Sequence, residues 1–226
     1  MAHKPRPLPP ALDLTADRQR TLELVSVSRE TAERLDRFVD LLLQWQQRTN
    51  LIASSTIPNI WTRHIADSLQ LLALAPTAKR WIDLGSGAGF PGIVIACALA
   101  DTPGAEIHLV ESTGKKANFL REAARLTTAR VLVHPVRIED FVQNFTDPVE
   151  VVTARALAPL QRLLQLAYPL TQRGAVGLFP KGQDVDAELT EASKCWKMDF
   201  DLVPSKTHPQ SRIVIVRRLQ KGSGQK

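Results

Sequence analysis

The chain has 226 residues, a hydrophobic fraction of 44% and a formal net charge of +6. Those values exclude a disordered composition and suit one α/β domain with a modest extension. No apolar run reaches the roughly 18 residues of a membrane span. The opening Met-Ala-His-Lys-Pro-Arg-Pro-Leu-Pro-Pro has charge but no apolar core, so it does not read as a secretory signal. Two cysteines, Cys97 and Cys195, and five histidines show no ligand spacing, so a reducing cytoplasm and no bound metal are expected. The moderate basic excess favours an acidic partner such as RNA.

In chain order, residues 1–27 are proline-rich and then charged, and are expected to form a flexible arm. Residues 28–78 read as a helical extension. A first amphipathic helix is predicted from about 28 to 48, with Leu35, Phe38, Val39, Leu42 and Trp45 at helical spacing. Asn50 to Ser55 break it. A second helix opens at Pro58 and runs to about 74, with Ile60, Trp61, Ile65, Leu69 and Leu72 inward.

Residues 79–218 then alternate strand and helix. Strands are expected at 80–84, 106–111, 130–134, 149–153, 175–180, 198–203 and 211–217. Helices fit 91–100, 113–127, 156–170 and 183–195, with a short turn near 138–142. This is the pattern of a doubly wound, Rossmann-like sheet of about seven strands, the last one antiparallel across the 204–210 loop. Residues 219–226 read as a basic flexible tail.

The stretch that organises this domain runs from 80 to 96. Trp81-Ile82-Asp83-Leu84 is an apolar strand, Gly85-Ser86-Gly87-Ala88-Gly89-Phe90-Pro91-Gly92 a glycine-rich turn, and Ile93-Val94-Ile95-Ala96 the start of an apolar helix. Such a turn lets backbone approach a ligand at the carboxyl edge of the sheet. The dinucleotide G-x-G-x-x-G spacing and the phosphate-loop Gly-Lys-Ser/Thr ending are both missing. An Asp two positions before the first glycine instead resembles motif I of S-adenosylmethionine-dependent methyltransferases. Asp83 is a candidate to complement the cationic amino group and sulfonium of that cofactor.

Further candidates follow the later strands. Glu111, at the end of the second strand, is placed to accept from ribose hydroxyls; the other reading is a helix N-cap region. Lys115 and Lys116 are either phosphate contacts or a solvated face. Ile138 and Glu139 lie after strand three, where backbone groups could read an adenine edge. Arg155, after strand four, could grip a phosphate, a guanine edge or the cofactor carboxylate, or form a structural ion pair. The Asp/Asn-Pro-Pro-aromatic cluster of amino-group methyltransferases and the nucleophilic cysteine of cytosine-C5 enzymes are both absent at that point. In Arg63-His64-x-x-Asp67-Ser68, His64, Asp67 and Ser68 share one helical face, and Lys181-Gly182 ends strand five.

Together these pieces resemble the ribosomal RNA small subunit methyltransferase G family, also called glucose-inhibited division protein B, over about residues 30–218. The resemblance rests on Asn50-Leu51, Arg63-His64-Ile65-Ala66-Asp67-Ser68, the 83–92 turn, Glu111-Ser112-x-x-Lys115-Lys116, Arg155-Ala156-Leu157 and Lys181-Gly182. Thr153 is a mild departure from the small residue usual there. The arm is longer than the family needs. The resemblance implies methylation of guanine N7 in 16S rRNA, or in a small-subunit precursor, with S-adenosylmethionine as donor. It also implies cofactor contacts from Gly85, Phe90, Ile138, Glu139 and Arg155.

Beside them, Asp83, Gly87 and Glu111 complete the expected cofactor set, and Arg63, Lys115, Lys116 and Lys181 the candidate substrate set. N7 carries a free lone pair, so no catalytic base is expected, and His64 and Arg155 are positioning candidates. A cytoplasmic monomer is expected. A methyltransferase acting on another RNA, a protein or a metabolite, and a non-catalytic nucleotide-binding module, are the competing readings.

Overall fold

The computed structural model of the chain describes residues 13–222. Helix α1 (Thr15–Leu24) stands where a loose arm was expected; residues 1–12 of that arm lie outside the described residues. It has no apolar stripe to betray it, and its buried side chains are polar, Asp17 and Thr21. Helix α2 (Arg29–Gln46) begins at Ser28, whose Oγ accepts from the Thr31 N–H (3.1 Å), and buries Leu35, Phe38, Val39 and Leu42.

The second expected helix is not one regular helix. It is a 3₁₀ segment (Ser54–Asn59), a π-helical segment (Trp61–Ala66), one α turn α3 (Asp67–Leu69) and a 3₁₀ end (Gln70–Leu74). The change of pitch falls on Arg63 and His64, and π turns inside helices often mark functional positions.

Strands β1 (Arg80–Leu84), β2 (Glu106–Val110), β3 (Arg130–His134), β4 (Val151–Thr153) and β5 (Val176–Lys181) are parallel, with helices α4 (Gly92–Leu99), α5 (Gly114–Ala124), α6 (Ile138–Asn144) and α7 (Leu160–Thr171) between them. Helix α8 (Val185–Ser193) leads to β6 (Trp196–Pro204) and β7 (Arg212–Lys221), an antiparallel hairpin. The seven strands are ordered β3-β2-β1-β4-β5-β7-β6. Strand β7 takes in residues 219–221, which were read as tail. Leu219 is buried, and the pairing extends to Trp196 opposite Lys221. Residues 223–226 of the expected tail lie outside the described residues. Helix α7 starts at Leu160 rather than 156, leaving residues 154–159 as a loop over the carboxyl edge.

Alternation along β1 divides the core. Trp81 packs with Leu35, Phe38, Trp61, Ile93 and Phe119 on one face. Ile82 and Leu84 pack with Val152, Leu163, Leu164 and Val214 on the other. Strand order reverses between β1 and β4, so a crevice opens at their carboxyl ends, where ligands of such sheets bind. Helix α2 packs on α4 and α5 and α1 on the mixed helix, while the break after α2 and the mixed helix reach that end. No helix among the described residues is long and apolar enough to cross a membrane.

Candidate active site

The glycine turn is built by backbone torsions that side chains resist. Gly85, Gly87 and Gly89 take φ of +70°, +53° and +85°, and the Phe90–Pro91 peptide is cis. A Cβ on Gly85 would sit 2.7 Å from Leu157 Cδ1, and one on Gly89 2.8 Å from Ile93 Cγ1. A Cβ on Gly87 would meet only the Gly85 carbonyl oxygen, at 3.7 Å, so its glycine is required by torsion alone.

Two carboxylates brace this turn. Asp83 accepts from the Gly92 N–H (3.1 Å) and from Thr153 Oγ1 (3.1 Å) while only 1% exposed. Burial pushes its pKa up to about 6, against the pull of those bonds. The expected direct ligand contact from Asp83 does not match this placement: its carboxylate lies behind the turn, on the α4 side of the sheet. Glu111 accepts from Gly87 N–H (3.0 Å) through one oxygen and from Thr113 N–H (2.7 Å) through the other.

In front of the turn is a cavity of about 410 Å³. Gly85, Gly87, Phe90, Glu111, Lys116, Ile138 and Arg155 all line it, so most of the expected cofactor residues converge. Glu139 does not line it. Its carboxylate takes Arg162 (2.5 Å) and lies 3.8 Å from Arg137, leaving only backbone for a ligand. Lys115 is exposed and also lies outside the lining. The roof is the break after α2. Gln46 Oε1 accepts from Leu51 and Ile52 N–H (2.9 and 3.0 Å), and its Nε2 donates to the Ile52 carbonyl (2.8 Å).

A second cavity, about 370 Å³, adjoins the first and shares His64, Arg155 and Ala156 with it. These three form the partition. Arg155 donates to His64 Nδ1 (2.7 Å), Asp67 Oδ2 (3.3 Å) and the Arg63 carbonyl (3.2 Å). Its guanidinium lies 5.2 Å over the Phe90 ring, on which His64 stacks at 4.8 Å. Burial holds the Arg155 pKa below the ordinary arginine value and Asp67 opposes that shift; the guanidinium stays a cation. Ala156, next along, has φ of +52°, a torsion rare outside glycine.

The hydrogen bonds across the partition run in one direction. A guanidinium only donates, so His64 Nδ1 accepts. Thr56 spends its hydroxyl hydrogen on the Ala53 carbonyl (2.8 Å) and therefore accepts from His64 Nε2–H (3.0 Å). Burial first, then Arg155 and Arg63, depress the His64 pKa to about 3. The ring is neutral at physiological pH, and its single lone pair is occupied.

Lys181 and Arg63 line the second cavity, Arg63 with an exposed side chain. Lys181 is not a free cation: Nζ donates to Glu188 (2.6 Å) and the Ala158 carbonyl (3.0 Å). The cavity also draws Glu188, Ser205, Thr207, His208 and Arg212 from the C-terminal third. Sequence reasoning passed over all five, because no spacing links α8 or the β6–β7 loop to residue 155. Asp67 and Gln70 staple that loop down, Asp67 through Thr207 Oγ1 (2.9 Å) and Gln70 through the Lys206 N–H (2.9 Å).

The sheet and its flanking helices match the fold of solved methyltransferases. An O-methyltransferase from Bacillus cereus in complex with SAH superposes with a TM-score of 0.56 at 15% identity, covering 91% of this chain and 98% of that one. Two curated relatives carry the name ribosomal RNA small subunit methyltransferase G. The one from Bradyrhizobium diazoefficiens is 60% identical over 194 residues, 86% of this chain and 75% of its own. The one from Nitrobacter hamburgensis is 59% identical over 206 residues, 91% and 79% respectively. The model of a family described as rRNA small subunit methyltransferase G matches residues 31–214. This chain therefore belongs to the rRNA small subunit methyltransferase G family.

Proposed function

We infer that the chain transfers a methyl group from S-adenosylmethionine to N7 of a guanine in 16S rRNA. S-adenosylmethionine, when bound, supplies an electrophilic methyl on a sulfonium. The first cavity suits that donor. Glu111 offers lone pairs to ribose hydroxyls, Ile138 an apolar face and the α6 backbone at Glu139 a route to the adenine edge. Asp83 serves at one remove, by holding the turn.

The observation that carries the acceptor assignment is the one-way hydrogen-bond chain from Arg155 through His64 to Thr56. It leaves no base in the partition. Guanine N7 needs none, because it has a lone pair and no proton. The residues then act by position: the two cavities meet at Arg155 and Ala156, which sets donor and acceptor across one wall. Orientation of this kind supplies about 7–11 kcal/mol in well-aligned reactions. Arg63, Arg212 and His208 around the second cavity suit an rRNA backbone, and Lys116 reaches it from the cofactor side. A monomer in the cytoplasm, acting on free rRNA or a subunit precursor, is the working form proposed; the most exposed large apolar side chains among the described residues are few, Leu24, Val136 and the pair Phe200 and Leu202 on one face of β6.

Tritiated methyl transfer to small subunits, naked rRNA and total protein, followed by mapping of the product, tests this reading. The expected product is a single N7-methylated guanine in 16S rRNA; label confined to protein or to another base refutes it.

A further inference from the structure

The second cavity contains an ion pair that the methyl transfer itself does not require. Lys181 Nζ and the Leu160 N–H both bond Glu188 through the same oxygen, Oε2, at 2.6 and 2.5 Å. None of these bonds uses Oε1. The Lys181 side chain is 9% exposed and that of Glu188 24%, so the lysine is the inner member and the carboxylate the outer one. Both line the cavity that meets the first one at Arg155. Holding α8 against β5 is no reason for charges, since an apolar pair does that without the desolvation cost.

The geometry points to Glu188 as the residue that recognises the target base. Resting on the guanine reading above, we propose that Oε1 accepts from the N1–H and N2–H₂ edge of guanine. Lys181 and the Leu160 N–H hold Oε2 and so orient the carboxylate. An ionised carboxylate only accepts, and guanine presents two donors side by side on that edge. Adenine presents an unprotonated N1 there, which a carboxylate repels. N7 lies on the opposite side of the ring system, so a base anchored on Glu188 directs N7 back across the cavity toward the partition. Glu188 is thus a specificity residue and Lys181 a positioning residue, which accounts for a lysine that is too enclosed to track phosphates.

The test pairs a change in the base with a change in the protein. Single-turnover methyl transfer is measured on 16S rRNA carrying guanosine or inosine at the methylated position; inosine keeps N7 and lacks only the 2-amino group. For the wild type, inosine should lower kcat/KM by about tenfold to a hundredfold, the usual loss for a hydrogen bond to a charged group. In the double variant Lys181→Met/Glu188→Leu, which removes the pair without leaving an orphan charge, guanosine and inosine should react within about threefold of each other. Its affinity for S-adenosylmethionine should be unchanged.

A wild type indifferent to inosine overturns the proposal without any variant, and so does a folded double variant that keeps the wild-type discrimination. Should the double variant fail to fold, Glu188→Gln provides the same comparison. Its amide oxygen would face the Lys181 and Leu160 donors and leave an NH₂ toward the base, so the inosine penalty should disappear, and an undiminished penalty refutes the role. Failure of the underlying reading looks different, since the wild type would then place no methyl on a guanine N7 at all.

Discussion

The two cavities that meet at Arg155 are anchored differently. The first has one continuous stretch at its centre, the glycine turn at residues 85–90, whose torsions are encoded locally, while the break after α2, the ends of β2 and β4 and Ile138 close the rest of its wall. The second is assembled from the mixed helix, the loop after β4, the end of β5, α8 and the β6–β7 loop, elements up to 149 residues apart from Arg63 to Arg212. A site anchored on one local motif fails first through its own glycines. A site made from several elements fails when any staple between them is cut.

The largest effect expected is at the wall common to both. Arg155→Ala removes a cation bonded to His64, Asp67 and the Arg63 carbonyl, where the ion-pair side chains are 17% and 15% exposed. Breaking a buried pair destabilises a fold by about 3–5 kcal/mol, and the misplacement that follows should lower single-turnover methylation by about 10²-fold. Arg155→Lys should recover little, because one ammonium cannot span the three acceptors. Near-wild-type rates for either variant would show that the partition is not a working part.

The glycines sharpen the contrast within the first cavity. Gly85→Ala combines left-handed strain of about 1–2 kcal/mol with a Cβ 2.7 Å from Leu157. Calorimetry should show donor affinity falling about tenfold or more, with partial recovery in Gly85→Ala/Leu157→Ala. Gly87→Ala carries the strain without the contact, so Leu157→Ala should not rescue it. Equal rescue of both variants would remove the distinction between torsion and contact.

A smaller and more selective loss is expected at α1. Asp17 accepts from the Trp61 and Thr62 N–H groups (2.8 and 3.2 Å) and from the Thr62 hydroxyl, and so caps the π-helical segment that carries Arg63 and His64. Asp17→Ala should cost about 1–2 kcal/mol of stability. KM for rRNA should rise while donor affinity stays close to wild type; equal losses at both ligands would mean that the extension serves the whole fold and not the second cavity.

The smallest effect is predicted for His64→Gln. With no base to lose, its single-turnover rate should stay within about threefold of wild type and be flat from pH 6 to 8, where a true base costs about 10²–10⁴-fold. His64 in the partition and Asp83 behind the turn nonetheless titrate oppositely. His64 has a folded pKa near 3 against 6.5 free, so the stability it contributes is present above 6.5 and is lost as pH falls toward 3. Asp83 has a folded pKa near 6 against 3.8, so its contribution is present below 3.8 and is lost as pH rises through 6. Denaturant melts between pH 4 and 6.5 should therefore show His64→Gln losing less stability than wild type on acidification, and Asp83→Asn losing more. The same slope in all three proteins would contradict both shifts.

What the amino-acid sequence determined by itself is whatever has a short period or an obligatory residue type. The strand–helix alternation, the apolar stripe of α2 and the glycine turn were all legible, because side-chain periodicity and positive φ leave their mark within a few residues. Arg155 was legible as a cleft candidate because it follows the end of strand four, whereas His64, inside the mixed helix, was a candidate only because that helix precedes β1. Helix α1 was not legible, because it is held by Asp17 capping another segment and shows no amphipathic face. The inward turn of Asp83, the outward pairing of Glu139 with Arg162 and the tying of Lys181 to Glu188 were decided only by tertiary structure. In each case the partner comes from another strand or helix. A charged side chain's role is set by whichever opposite charge or backbone donor the fold brings within about 3 Å of it, and no local spacing encodes that neighbour.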